Sequence, residues 1–237
     1  MFSISPRRAL LAAALIASAA SANAAITAGD LVLVAYDPTT QQTYFRDLGV
    51  SAASFTGTAA TTFAAGTTDA WSSFYVAADA SVDQYAIIAN TGSGNNATAY
   101  YSEATGLISP VAANANSAAL GINNFIAQAN TLTFTGSSAV NPAGGIADFA
   151  VLTGSNIDGA LASGFAAQNT LGTAVNFAKT AVTGTKTLVG TTTQFAGTFN
   201  LNSAGAAVYA VPEPGTWALM VAGLLSMGAV ARRRRAA

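Results

Sequence analysis

The strongest constraint on this chain lies in its last 27 residues. Residues 216–231 run without a charged side chain, and Arg232, Arg233, Arg234 and Arg235 end the run. Ahead of it stands Val211-Pro212-Glu213-Pro214-Gly215, whose prolines cannot sit inside a continuing strand or helix. As a helix, 16 residues reach about 24 Å, short of the roughly 30 Å hydrocarbon core of a bilayer. Trp217 at one end and the arginines at the other extend such a span by interfacial anchoring and snorkelling. Gly223, Ser226 and Gly228 lower its hydrophobicity and allow close approach of another helix. A marginal span of this kind suits a segment held by a membrane enzyme and then cut away. The excess of arginine predicts a cytoplasmic end, with everything before residue 211 outside the inner membrane.

The other end of the chain agrees. Residues 1–24 read as a secretory signal peptide: Arg7 and Arg8 form the positive region, residues 9–17 the apolar region, and Ala22-Asn23-Ala24 the cleavage site. The apolar region is too short to remain as a membrane anchor. The surroundings of Arg7 and Arg8 (Pro6, Ala9, Leu10) lack most of the twin-arginine motif, so the general secretion machinery and a signal peptidase are the expected partners.

Pro212, Glu213 and Pro214, the apolar run and the arginine cluster, in that order, resemble the PEP-CTERM sorting signal of Gram-negative bacteria. The resemblance implies recognition by an exosortase, a multi-pass membrane enzyme of transpeptidase type found in bacteria that make exopolysaccharide. It also implies release or transfer to the cell surface or biofilm matrix. It covers the tail alone, and the body carries no family motif.

Three segments are therefore predicted: a signal peptide at 1–24, one exported domain at 25–210, and a sorting signal at 211–237 with its transmembrane helix at 216–231. The exported part is long enough for a single well-buried core. It holds three bases (Arg46, Lys179, Lys186) against nine acids, a net charge of −6. An acidic, lysine-poor surface does not neutralise phosphates, which argues against nucleic acid as a partner. With no cysteine there is no disulfide or thiolate nucleophile, and with no histidine there is no Ser-His-Asp triad or imidazole base.

Along the body, residues 31–36 (LVLVAY) form an apolar run expected of a strand covered on both faces. Asp37-Pro38-Thr39-Thr40 is a turn, and residues 43–48 return as a strand closed by Gly49. Residues 51–68 read as loop or irregular strand. Asp69 caps a predicted short helix whose face is Trp71, Phe74, Tyr75 and Ala78. Residues 84–89 and 97–101 pair around a turn at 90–96. Residues 117–129 form the best helix, with Ala118, Ile122, Phe125, Ile126 and Ala129 on one face and Asn116 or Ser117 as its cap. Strands are expected at 131–135 and 147–152 with a turn at 141–145, and a weak helix at 158–167. Phe195, Phe199 and Leu201 alternate with Thr198, Asn200 and Asn202 as in a strand with one wet face, and residues 208–210 make a last short strand. The fold class is α+β, mainly β, with antiparallel hairpins and two or three short helices.

No residue set assembles a recognisable catalytic site. Asp79 and Asp83 have helical spacing, yet fit better as the end of the short helix and the turn after it. Ser155-Asn156-Ile157-Asp158-Gly159 offers oxygen ligands without the EF-hand spacing. No Ser-x-x-Lys surrounds Lys179 or Lys186. Asn96-Ala97-Thr98 matches a glycosylation sequon. Trp71, Tyr85, Tyr100 and Tyr101 are candidates for a sugar-stacking platform, although aromatics at such spacings more often build core. The reading is a non-enzymatic envelope or exopolysaccharide-matrix protein without cofactor or metal, with exosortase as its processing partner and exopolysaccharide as a further one. The alternatives are a surface glycan-binding module and a carboxylate-dependent hydrolase.

Overall fold

The computed structural model describes residues 25–77, 81–93, 96–103, 112–143, 169–182, 190–211 and 223–225. They open with the hairpin of β1 (Asp30–Asp37) and β2 (Gln42–Ser51). Leu31, Val32, Leu33, Val34 and Ala35 are all fully buried, so the apolar run is covered on both faces as its composition predicts. Asp37 shapes the turn by accepting hydrogen bonds from the backbone N–H of Thr39 and Thr40. Gly49 does not end the second strand. At φ +66° it sits in a bulge, its N–H donating to Asp47 Oδ1 at 2.7 Å, and pairing resumes where Ser51 meets Asp30.

Eight further strands join this hairpin: β3 (Thr61–Phe63), β4 (Gln84–Thr91), β5 (Thr98–Glu103), β6 (Ser138–Asn141), β7 (Asn169–Thr170), β8 (Val175–Ala181), β9 (Thr191–Leu201) and β10 (Ala207–Ala210). They form one sheet in the order β3-β10-β9-β8-β5-β4-β1-β2-β6, with β7 pairing β4, and every pairing is antiparallel. Two helices accompany the sheet, α1 (Trp71–Phe74) and α2 (Ala112–Ala129). The mainly β expectation stands.

The sheet is curled. Its inner face gathers Leu31 and Leu33 of β1, Tyr85 and Ile87 of β4, Phe199 and Leu201 of β9 and Tyr209 of β10 into one cluster with Trp71 and Phe74 of α1. Strands from the two ends of a flat sheet could not share one core. The Tyr85 hydroxyl spans the curl, donating to the carbonyl of Phe199 on β9 at 3.0 Å. Phe55, from the loop after β2, packs against the rings of Tyr209 and Phe195, with centroids 5.0 and 5.5 Å away.

The outer face of β1, β2, β4 and β5 is covered by α2. Ile122, Phe125, Ile126 and Ala129 pack on Val32, Val34, Phe45 and Ile88, as their spacing predicts. The helix begins at Ala112, so Asn116 and Ser117 lie inside it rather than capping it. Packing of its apolar stripe on the sheet outweighs a local cap signal. At its far end Asn130 accepts from the Ile26 N–H at 2.7 Å and donates to the Ile26 carbonyl at 3.0 Å, pinning the chain just before β1.

Other expectations need correction. The strand expected at 131–135 is absent: Thr131 and Leu132 turn back on the helix end, and Thr135 makes only a single bridge to Ser138. The strand here is β6, paired with β2 until Pro142 removes the next donor. The short helix makes one turn and stops at Phe74, before Tyr75, and Ala78 lies outside the described residues. The strand expected at 147–152 and the helix at 158–167 lie outside the described residues.

Candidate functional site

The inner core closes over a polar node. Arg46 alternates inward on β2, where its neighbours in the pattern are apolar or aromatic. Its guanidinium donates to the Gly205 carbonyl at 2.7 Å and the Phe63 carbonyl at 2.9 Å, joining β2 to β3 and to the β9–β10 turn. The Asp69 carboxylate lies 3.7 Å away, with both side chains only 3% exposed. Asp69 Oδ1 also accepts from the Tyr44 hydroxyl at 2.6 Å and the Trp71 N–H at 2.8 Å. Burial foremost, together with the Asp69 carboxylate, pushes the Tyr44 phenol far above its ordinary range. The Trp71 indole N–H donates to the Ser203 carbonyl at 2.9 Å. Every partner here belongs to the fold, so the node acts as a clasp.

The four aromatics proposed for sugar stacking are brought into the core, not to the surface. Trp71, Tyr85, Tyr100 and Tyr101 are 6%, 0%, 4% and 5% exposed. The first three line the inner cluster, whereas Tyr101 lies in the outer one, its hydroxyl 2.7 Å from Thr180 Oγ1. Stacking a sugar needs an exposed ring face, and these faces are covered by side chains.

Asp30, Asp37, Arg46, Asp47, Asp69, Asp83 and Lys179 are all buried or half-buried. Asp37 closes a turn, Asp47 accepts from the N–H groups of Thr27 and Gly49, and Lys179 stands 5.8 Å from the centroid of the half-buried Phe195 ring. Asp83 is buried at 1%. Much of what faces solvent is threonine, serine, asparagine and alanine, exemplified by Thr27, Ser54, Thr58, Ser93, Asn96 and Thr191, with Val76, Val82 and Leu120 exposed as well. Asn96 of the sequon is exposed and Ala97 beside it is buried. Among the described residues no group of three acidic, histidine or cysteine side chains could hold a metal ion. Asp79, the 155–159 segment and Lys186 lie outside the described residues.

The signal cleavage residues Ala22 and Ala24, the motif residues Pro212, Glu213 and Pro214, and Arg232, Arg233, Arg234 and Arg235 also lie outside them. Within the apolar run residues 223–225 are helical, with Leu224 and Leu225 exposed. Among the described residues no helix is long and apolar enough to cross a membrane. The body ends at Ala210, the last residue of β10, and Val211 still packs against the inner core.

Sequence reasoning missed the clasp. Its one local signal was an arginine at an inward-facing position of a strand, and its partners lie up to 159 positions away.

No curated protein and no solved structure matches the chain. A family model described as the PEP-CTERM protein-sorting motif matches residues 210–235, beginning at the last residue of β10. The chain therefore carries a PEP-CTERM sorting motif, which marks it as an exported protein whose sorting depends on an exosortase.

Proposed function

We propose that this is a non-enzymatic protein of the cell envelope or exopolysaccharide matrix, brought there by exosortase processing of its tail. In this reading residues 1–24 are removed by signal peptidase after passage through the secretion machinery. Residues 216–231 then hold the body outside the inner membrane until the enzyme acts. The observation that carries the non-enzymatic part is the use of the body's charges. Asp37, Arg46, Asp47 and Asp69 each serve an internal turn, strand or helix contact, which leaves them committed to the fold rather than to a substrate.

The surface supports the matrix destination. Exposed hydroxyl and amide side chains among the described residues, such as Ser54, Thr58 and Asn96, offer hydrogen bonds to polysaccharide without desolvating ions.

Expression in matched strains with and without exosortase tests the sorting. The expected result is a shorter chain in the matrix fraction of the first strain and a longer, inner-membrane chain in the second. Identical size and location in both strains would sink it.

A further inference from the structure

The sorting motif begins inside the fold. Its match starts at Ala210, which still pairs with Thr198 of β9, and Val211 packs against the inner core. Pro212 follows at once, so no linker separates the folded body from the Pro-Glu-Pro sequence. The strand that carries the motif's first residue is held on both edges. β10 runs between β9 and β3, and Ala207, Val208 and Tyr209 each pair with both.

A tyrosine fastens the end of this strand. The Tyr209 hydroxyl accepts from the Gly197 N–H at 2.8 Å and donates to the Gly57 carbonyl at 3.2 Å. Its ring is fully buried, with the rings of Phe55 and Phe199 at 5.0 and 4.9 Å. Both hydroxyl partners are glycines, and the close approach needs them to be. A Cβ on Gly197 would collide with the Ala210 carbonyl and the Tyr209 ring, and one on Gly57 would stand 2.7 Å from the Tyr209 hydroxyl. β10 is released only when two ladders and this clasp break together.

A peptide segment enters an enzyme's groove by offering its backbone edges and side chains, and β10 has committed both to the fold. Attack on such a segment follows the population of its opened form. We propose that the folded body withholds Ala210 and Val211 from the exosortase, so that opening of β10 gates processing of the tail. The proposal rests on the exosortase reading given above. A chain that has not yet closed β10 over its core presents the motif freely. A folded chain presents it only as often as β10 opens, and stays at the membrane for a time set by that strand.

Three full-length variants, made in cells with the exosortase, test the gate by pulse-chase conversion of the long chain to the short one. The first carries a Gly-Ser-Gly-Ser-Gly-Ser insert between Val211 and Pro212, which frees the motif and leaves the fold untouched. It should be processed at least about threefold faster, the change that one net hydrogen bond makes to an opening equilibrium. Tyr209→Phe keeps the ring, loses the clasp and should also be processed faster. The third, Thr198→Cys with Ala210→Cys, sets two thiols on directly opposed residues of a chain with no other cysteine. Once oxidised it staples β10 shut and should slow processing by about tenfold or more, with dithiothreitol restoring the rate. An insert variant processed no faster than wild type overturns the gate, while shortening of the wild type keeps the sorting reading intact. A wild-type chain that is never shortened overturns the sorting reading, and the gate with it.

Discussion

Arg46 and Asp69 lie 3.7 Å apart in the closed core, and the same guanidinium holds the carbonyls of Gly205 and Phe63. One side chain therefore neutralises the buried acid and ties the edge strand β3 to the β1–β2 hairpin near the other edge of the sheet. Removing it leaves a buried carboxylate without its counter-charge and two carbonyls without their donor. Arg46→Met should cost about 3–5 kcal/mol, the range for breaking one partner of a buried pair. Arg46→Lys should recover only part of this, because a single ammonium cannot fork to two carbonyls. Denaturant unfolding of the purified protein measures both, and equal stability of Arg46→Met and wild type would refute the clasp.

Gly205 lies beneath the Trp71 ring at φ +76°, and a Cβ there would stand 2.5 Å from the indole. Gly205→Ala must accept left-handed backbone strain and displace the ring as well. A loss of roughly 2–4 kcal/mol follows, together with a change in Trp71 fluorescence. Gly172, with a similar φ of +82° but no atom within 4 Å of its Cβ, is the control. Its alanine variant should lose only the backbone part, about 1–2 kcal/mol.

Alkaline pH should unfold the protein through its tyrosines. Burial raises the Tyr44 and Tyr85 phenols well above their ordinary value and raises Tyr209 as well. A raised value means that the fold favours the neutral phenol. The stability contributed is whole below the unfolded-state value of about 10 and is lost as pH climbs through the folded-state values. Tyrosinate absorbance and circular dichroism should therefore change together above that point. Tyr44→Phe should make stability fall less steeply with pH, by up to about 1.4 kcal/mol per unit.

Asp30 gives the opposite end of the pH scale. Burial, and then the charge of Asp47, raise its carboxyl above the usual aspartate value. Its protonated form is the favoured one in the fold, so the benefit is whole at pH below about 3.9 and is lost as pH rises through the folded-state value. Asp30→Asn should raise the melting temperature at pH 7 and leave it nearly unchanged at pH 3. A drop at pH 7 would show that the carboxylate has a partner worth more than its burial cost.

The β1–β2 hairpin was legible because its signals are local: a doubly covered apolar run, a proline turn and a returning strand. The inward face of β9 and the apolar stripe of α2 were legible for the same reason, as each obeys a short period. The segment at 131–135 alternated as a strand does but found no neighbouring strand to pair with, and β6 formed where β2 offered an edge. The four aromatics had no local mark to separate core from surface, since burial depends on how far the sheet curls.

By itself the sequence determined that the chain is exported and sorted through its tail. Sorting signals are read as short linear patterns, so Pro212, Glu213, Pro214, the apolar run and the arginines carry their meaning in order and spacing alone. The tertiary structure decided which charges serve the fold and which aromatics are spent in the core. These properties arise from contacts between residues far apart in the chain, such as Arg46 with Gly205 and Tyr85 with Phe199, and only the curl of the sheet brings them together.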